Sequence, residues 1–208
     1  MDSSRPDNIE ELVLYRKGYQ FIGGVDEVGR GSIAGPVVAA IVILPKKLKG
    51  SWQSLINDSK QLTPIEREYI FNHLQESSDS IGIGESSSKE IDNVGIAPAT
   101  RLAIIRALES LSLKPQFLLL DAFLLPESKI PQKAIIHGDC ISISIAAASI
   151  IAKVTRDRIM IDFGKDYPNY GFEKHKGYAT KEHLTNLKLY GPCNIHRFSW
   201  KPLRDLGN

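Results

Sequence analysis

Apolar positions along this chain fall into runs of distinct length and period, and those runs set out its elements. Phe21 to Val25 and Val37 to Leu44 are short and continuous, as strands buried on both faces are. Phe117-Leu118-Leu119-Leu120-Asp121 is a third such strand, apolar until a carboxylate closes it, and Ala134 to Ile136 is a short further one. Ser80 to Gly84 alternates, the pattern of a strand with two different faces. Helical spacing appears elsewhere. Leu102, Ile105, Leu108 and Leu111 predict a packed face on a helix from Pro98 to Leu111. Asp7 can cap a first amphipathic helix with Ile9, Leu12 and Val13 inward, ending at Gly18. Thr63-Pro64-Ile65-Glu66 is a capping box with proline at the first helical position, so a helix runs from Pro64 to about Glu76. Ile141 to Gly164 predicts a long helix.

A strand, helix, strand order implies parallel pairing with a right-handed crossover. The expected fold class is α/β, a mixed sheet flanked by helices. Ligands of open α/β sheets gather beyond the carboxyl ends of strands. Asp26 and Asp121 both end strands, so parallel neighbours would bring their carboxylates to one edge. At 208 residues, without an internal repeat, the chain is expected to form a single domain.

Composition changes this picture little. A net charge of +2 permits a nucleic-acid partner without arguing for one. Cys140 and Cys193 lack metal-ligand spacing, which favours reduced thiols over a disulfide scaffold and disfavours zinc. The amino terminus, with Arg5, Asp7, Glu10 and Glu11, has no signal-like apolar core. Ile141 to Ala152, the most apolar run, is short of the ~20 residues that cross a bilayer. A soluble, cytoplasmic protein with no membrane partner is expected.

The candidate chemistry centres on Gly24-Val25-Asp26-Glu27-Val28-Gly29-Arg30-Gly31. Adjacent residues of a regular strand face opposite ways, so Asp26 and Glu27 could share an ion only where regularity breaks, and Gly29 and Gly31 permit a break. Asp139, in His137-Gly138-Asp139, stands where an N-cap of the long helix would stand, a role compatible with ligation. Converging acidic groups raise one another's pKa unless cations neutralise them. Oxygen-only donors favour Mg²⁺ or Mn²⁺, and such sites are commonly completed by substrate phosphate. Two ions ~3.5–4 Å apart activate a water and stabilise a leaving oxygen. No Gly-x-Ser-x-Gly elbow or Walker motif offers another route.

Three further positions carry weaker signals. Lys174 to Lys181 interleaves basic groups with Tyr178, which reads as a solvated loop or as a phosphate-tracking surface. Lys60 is either a surface lysine or a backbone-phosphate contact. Asp157 shares a helical face with Ile150, Val154 and Ile161, so a partly buried, supporting role with a neighbouring arginine as partner is expected.

Several blocks together resemble bacterial ribonuclease HII, the type 2 ribonuclease H family. They are Gly23 to Gly31, Ala34 to Ala40, Asn57-Asp58-Ser59-Lys60-Gln61-Leu62, Leu120-Asp121, Gly138-Asp139, Ala146 to Asp157 and His175 to His183. The resemblance implies a ribonuclease H-like core over about 21–165 and a small C-terminal helical and loop extension over about 166–208. It implies a monomeric endoribonuclease that cuts the RNA strand of RNA/DNA hybrids and incises DNA duplexes 5′ of misincorporated ribonucleotides. Products would carry 3′-hydroxyl and 5′-phosphate ends. The family's metal ligands would fall on Asp26, Glu27, Asp121 and Asp139, its Gly-Arg-Gly element on Gly29, Arg30 and Gly31, and its junction-sensing tyrosine on Tyr178. Val28, Ala122 and His137 depart from the residues common in the family. Ribonuclease HIII, which shares the core, and a non-catalytic hybrid-binding module are the alternatives. Only about twenty residues before the first strand argue against the former, and four retained carboxylates against the latter.

Overall fold

The computed structural model describes residues 5–204. Its strands are β1 (Ile22–Val28), β2 (Val37–Ile43), β3 (Ser80–Ser86), β4 (Phe117–Asp121) and β5 (Gln132–Ile135). Its helices are α1 (Ile9–Arg16), α2 (Pro64–Ser77), α3 (Ser88–Val94), α4 (Ile96–Ser110), α5 (Ile143–Asp166), α6 (Phe172–His175), α7 (Lys181–Tyr190) and α8 (Lys201–Arg204), with 3₁₀ turns at Ser51–Leu55 and Gly138–Cys140. The strands form one mixed sheet ordered β3-β2-β1-β4-β5. β1, β2 and β3 pair antiparallel, whereas β4 runs parallel to β1 and β5 parallel to β4.

Helices cover both faces, which is why β2 is buried at every position. Ala40 and Val42 pack with α2 and α5 on one side, while Val37, Ala39 and Ile41 meet α4 on the other. Gly24 brings α5 close to β1, since a Cβ there would lie 2.1 Å from the Ser144 carbonyl carbon. The capping box of α2 forms between Thr63 and Glu66. A second one, Ser87 with Glu90, starts α3, a helix not expected from the sequence.

Two helical faces differ from expectation. α4 starts earlier, at Ile96, and buries Ala99, Ala103, Ile104 and Ala107, leaving Leu102, Ile105 and Leu108 half-buried. Close approach decides this: a Cβ on Gly82 or Gly84 would lie 2.1 or 2.2 Å from the carbonyls of Ala107 and Ala103, so small residues face the sheet. On α1, Ile9 and Val13 are exposed, and Glu11 and Leu14 are buried instead. Glu11 is drawn inward because its Oε1 accepts from the Ser144 amide at 3.1 Å and from the hydroxyls of Ser142 and Ser144 at 2.5 Å. Asp7 Oδ1 accepts the Ile9 amide at 2.9 Å.

The C-terminal helices pack over the loop that follows β1. Ala34 joins Met160, Tyr170, Phe172 and Ile195 in one apolar cluster, and Ile33 joins Leu187 and Leu203 in another. Among the described residues, no helix is long and apolar enough to cross a membrane.

Candidate active site

The register of β1 and β4 places the first two carboxylates. Val25 pairs with Leu120, and the next residues are Asp26 and Asp121. Being in register, both project toward the face covered by α5, where Ser149 hydrogen-bonds Asp26. Asp139 enters from the 3₁₀ turn that precedes α5. It is not the helix N-cap: Ser142 takes that place, its hydroxyl accepting from the Ile145 amide.

Asp26 and Glu27 lie in a regular ladder on one side only. Pairing with β2 runs on through Val28, whereas pairing with β4 stops at Val25. The expected break in regularity is therefore one-sided, and Asp26 Oδ1 accepts the Glu27 amide at 2.7 Å. Each of the other three carboxylates also accepts from nitrogen. Arg30 Nη1 donates to Glu27 at 3.0 Å, the Gly138 amide to Asp121 at 2.8 Å, and Lys60 Nζ to Asp139 at 3.2 Å. So held, no three of these four bring their oxygens within 4.8 Å of one another among the described residues. One set that does so is Asp58, Asp139 and Cys140. Burial and the two carboxylates push the Cys140 thiol up to about 11, so its sulfur is protonated at neutral pH and bonds to Asp139 as a donor.

Electrostatics ties the four together. Burial, then the charge of Glu27, raises Asp26 well above the ordinary carboxylate range. Burial also raises Glu27 and Asp121, opposed by the Arg30 hydrogen bond and the Gly138 amide respectively. Asp121 feels Asp139, and both Asp26 and Glu27 feel Asp121. A buried, mutually repelling group of hard oxygen donors fits a divalent cation. Lys60 and Arg30 are long, exposed side chains able to yield their carboxylates to one.

A cleft of about 550 Å³ opens beside these residues, with Asp26, Glu27, Lys60, Lys153 and Tyr178 in its walls. Asp121 and Asp139 do not line it and connect to it through Lys60 and the β1 edge. Lys153 pairs with Asp157 at 2.8 Å, so the partner of Asp157 is a lysine one turn back rather than an arginine. Ile161, on the same face, is 40% exposed.

Sequence reasoning missed two arginines behind the cleft. Arg156 and Arg197 are fully buried, and carbonyls and a hydroxyl meet them instead of carboxylates. Arg156 donates to Pro36 O, Lys176 O, Ala34 O and Ser32 Oγ, and Arg197 to the carbonyls of Gly29, Arg30 and Gly35. Together they bind the Gly29–Pro36 loop to the C-terminal extension. Desolvation lowers both, Arg197 to about 9. The available signal was positional, since Arg156 lies four residues from Ala152 and from Met160, both buried. Arg30 lies on the outer side of the loop, stacked over Phe123 at 5.4 Å. Gly31 has open space where a Cβ would go.

The family model for ribonuclease HII matches residues 23–203. The chain belongs to the ribonuclease HII family. It is 47% identical over 201 residues to ribonuclease HII of Dehalococcoides mccartyi, covering 97% of this chain and 95% of that one. The ribonuclease H2 of Pyrococcus horikoshii OT3 superposes with a TM-score of 0.73 at 30% identity, covering 89% and 96% of the two chains. The ribonuclease HII of Archaeoglobus fulgidus, solved in complex with PCNA, gives a TM-score of 0.72 at 25% identity over 87% and 95%. As a ribonuclease HII, the protein is a divalent-metal-dependent endoribonuclease of the type 2 ribonuclease H class.

Proposed function

We propose that this ribonuclease HII hydrolyses the RNA strand of RNA/DNA hybrids and incises DNA duplexes on the 5′ side of single ribonucleotides. The in-register placement of Asp26 and Asp121, just past the last residues paired between two parallel strands, carries this reading, because it sets a buried carboxylate in the wall of an open cleft beside a half-buried one behind it. Asp26, Glu27, Asp121 and Asp139 would hold Mg²⁺ or Mn²⁺. Two bound ions supply a water activated for attack on phosphorus and charge stabilisation for the departing 3′-oxygen.

The rest falls to this chain's own groups. Gly31 has open space where a side chain would stand, so the backbone there can approach the one group that separates ribose from deoxyribose, the 2′-hydroxyl, while Arg197 holds the Gly29 and Arg30 carbonyls from behind. Arg30 holds Glu27 and offers its remaining guanidinium donors to a neighbouring phosphate. Lys60 and Lys153 present positive charge to the sugar-phosphate backbone. Tyr178, with its ring 5.6 Å from the Arg156 guanidinium, forms a flat wall on which the nucleotide at the RNA–DNA junction packs. We take the chain to act as a single-domain, cytoplasmic monomer.

Purified protein with Mg²⁺ or Mn²⁺ and duplexes containing one, several or no ribonucleotides tests this. Incision only beside ribose, leaving 3′-hydroxyl and 5′-phosphate ends, is expected. Cutting of all-DNA duplexes would overturn it.

A further inference from the structure

The place of Tyr178 is set from behind by two buried histidines that do not line the cleft. The Tyr178 carbonyl meets His183 Nδ1 at 2.9 Å. Carbonyls only accept, so His183 carries its proton on Nδ1 and offers a lone pair at Nε2. His196 Nε2 lies 3.1 Å from that lone pair and must donate to it. His196 Nδ1 is then an acceptor, and the Cys193 amide donates to it at 3.0 Å. The Cys193 carbonyl also lies near this nitrogen, at 3.3 Å, but the amide is closer and His183 offers Nε2 only a lone pair, so the tautomers set at the Tyr178 end are the ones the shorter bonds satisfy. Both rings are neutral at neutral pH, since burial pushes each down to about 4. Packed against them are His175, stacked on His183 at 4.3 Å, Tyr170 at 5.1 Å from His196, and Cys193.

The far end of this relay is anchored to the loop after β1. His196 bridges antiparallel to Ala34, the Arg197 amide donates to Ile33 O at 2.9 Å, and the Gly35 amide to Ile195 O at 2.8 Å. Gly177, just before Tyr178, accepts the Ile33 amide at 2.9 Å. A metal ion does not explain the cluster, because His196 turns its two nitrogens to opposite partners, His183 and Cys193.

We propose that His183 and His196 are positioning residues: their relay fixes Tyr178 relative to the Gly29–Gly31 loop, so that the junction-contacting ring and the ribose-approaching backbone keep one spacing. The proposal rests on the reading of Tyr178 given above. Neither histidine touches substrate.

The test compares His183→Phe, which removes both bonds, with His183→Asn, whose amide nitrogen can reproduce the Nδ1 donor. H183F should raise KM for a single-ribonucleotide duplex about tenfold or more, with a smaller change in kcat, as loss of an orienting partner does. H183N should return most of that loss. In a Tyr178→Ala background, H183F should add nothing. Equal impairment of H183N and H183F, or full additivity with Y178A, would overturn the proposal. Imidazole ¹⁵N spectra of the wild-type protein read the relay without catalysis. Protons on His183 Nδ1 and His196 Nε2 are expected, and either opposite tautomer sinks the inference even if H183F fails to fold. A wild-type protein that ignores ribonucleotides would instead refute the proposed function, leaving the spectra to decide the relay.

Discussion

Asp26 and Asp121 occupy equivalent places on neighbouring parallel strands, each directly after a member of the Val25–Leu120 pair. Adjacent strands lie about 4.8 Å apart, so the buried Asp26 and the half-buried Asp121 share one edge and repel. D26N should therefore separate stability from activity. Incision falls by on the order of 10²-fold or more, beyond what loss of a merely supporting partner usually costs. Without added divalent ion, thermal melting of D26N should lie above that of the wild type.

Divalent ions should stabilise the wild-type protein by relieving the same repulsion. At a concentration a hundred times Kd, Mg²⁺ or Mn²⁺ contributes about 2.7 kcal/mol. Melting with and without EDTA checks this, and D121N should abolish the difference. Equal response of D121N and wild type would exclude Asp121 from the ion site.

Lys60 competes for the carboxylate that a cation would use, bonding to Asp139 at 3.2 Å from an exposed side chain. Lys60→Ala should tighten ion binding about two- to fivefold, the scale of one exposed ion pair. It should also weaken duplex binding and flatten its salt dependence. Calorimetry and salt-dependent binding read the two effects independently.

Gly29 and Gly31 should respond to alanine in opposite ways. At Gly29, φ is +92° and a Cβ would lie 2.1 Å from Arg156 Nε, so Gly29→Ala should cost roughly 2–5 kcal/mol in denaturant unfolding. Gly31→Ala meets nothing within 4 Å. It should fold normally and lose ribonucleotide incision if the loop reads the 2′-hydroxyl at close range.

Acid should expose the buried histidines. Unfolded histidine takes up a proton near 6.5, whereas His183 and His196 resist until about 4. Below 6.5 the unfolded chain thus binds more protons, and stability falls from there toward pH 4 by up to about 1.4 kcal/mol per pH unit per histidine. Above 6.5 neither contributes a slope. The raised carboxylates act in the opposite sense, so the difference between wild type and H183N in urea titrations isolates the histidine part.

Much of this was legible in the sequence where a local rule governs. The strand at Phe117 to Asp121, the capping box at Thr63 and the mixed α/β sheet follow from pattern and short-range chemistry. Reading failed where tertiary contact chose between local options. Alanines rather than leucines face the sheet on α4 because Gly82 and Gly84 admit the helix so closely. The buried Glu11 and Arg156 satisfy partners distant in sequence, which periodicity does not register. Asp139 gave up capping to Ser142 because a 3₁₀ turn delays the start of α5.

Arg197 closes the loop that begins at Gly29, 168 residues earlier in the chain. The loop thus acquires its final shape only when two remote stretches of polypeptide meet, a non-local closure of the kind that slows folding, so full activity after refolding from denaturant should return later than the signal of the helices.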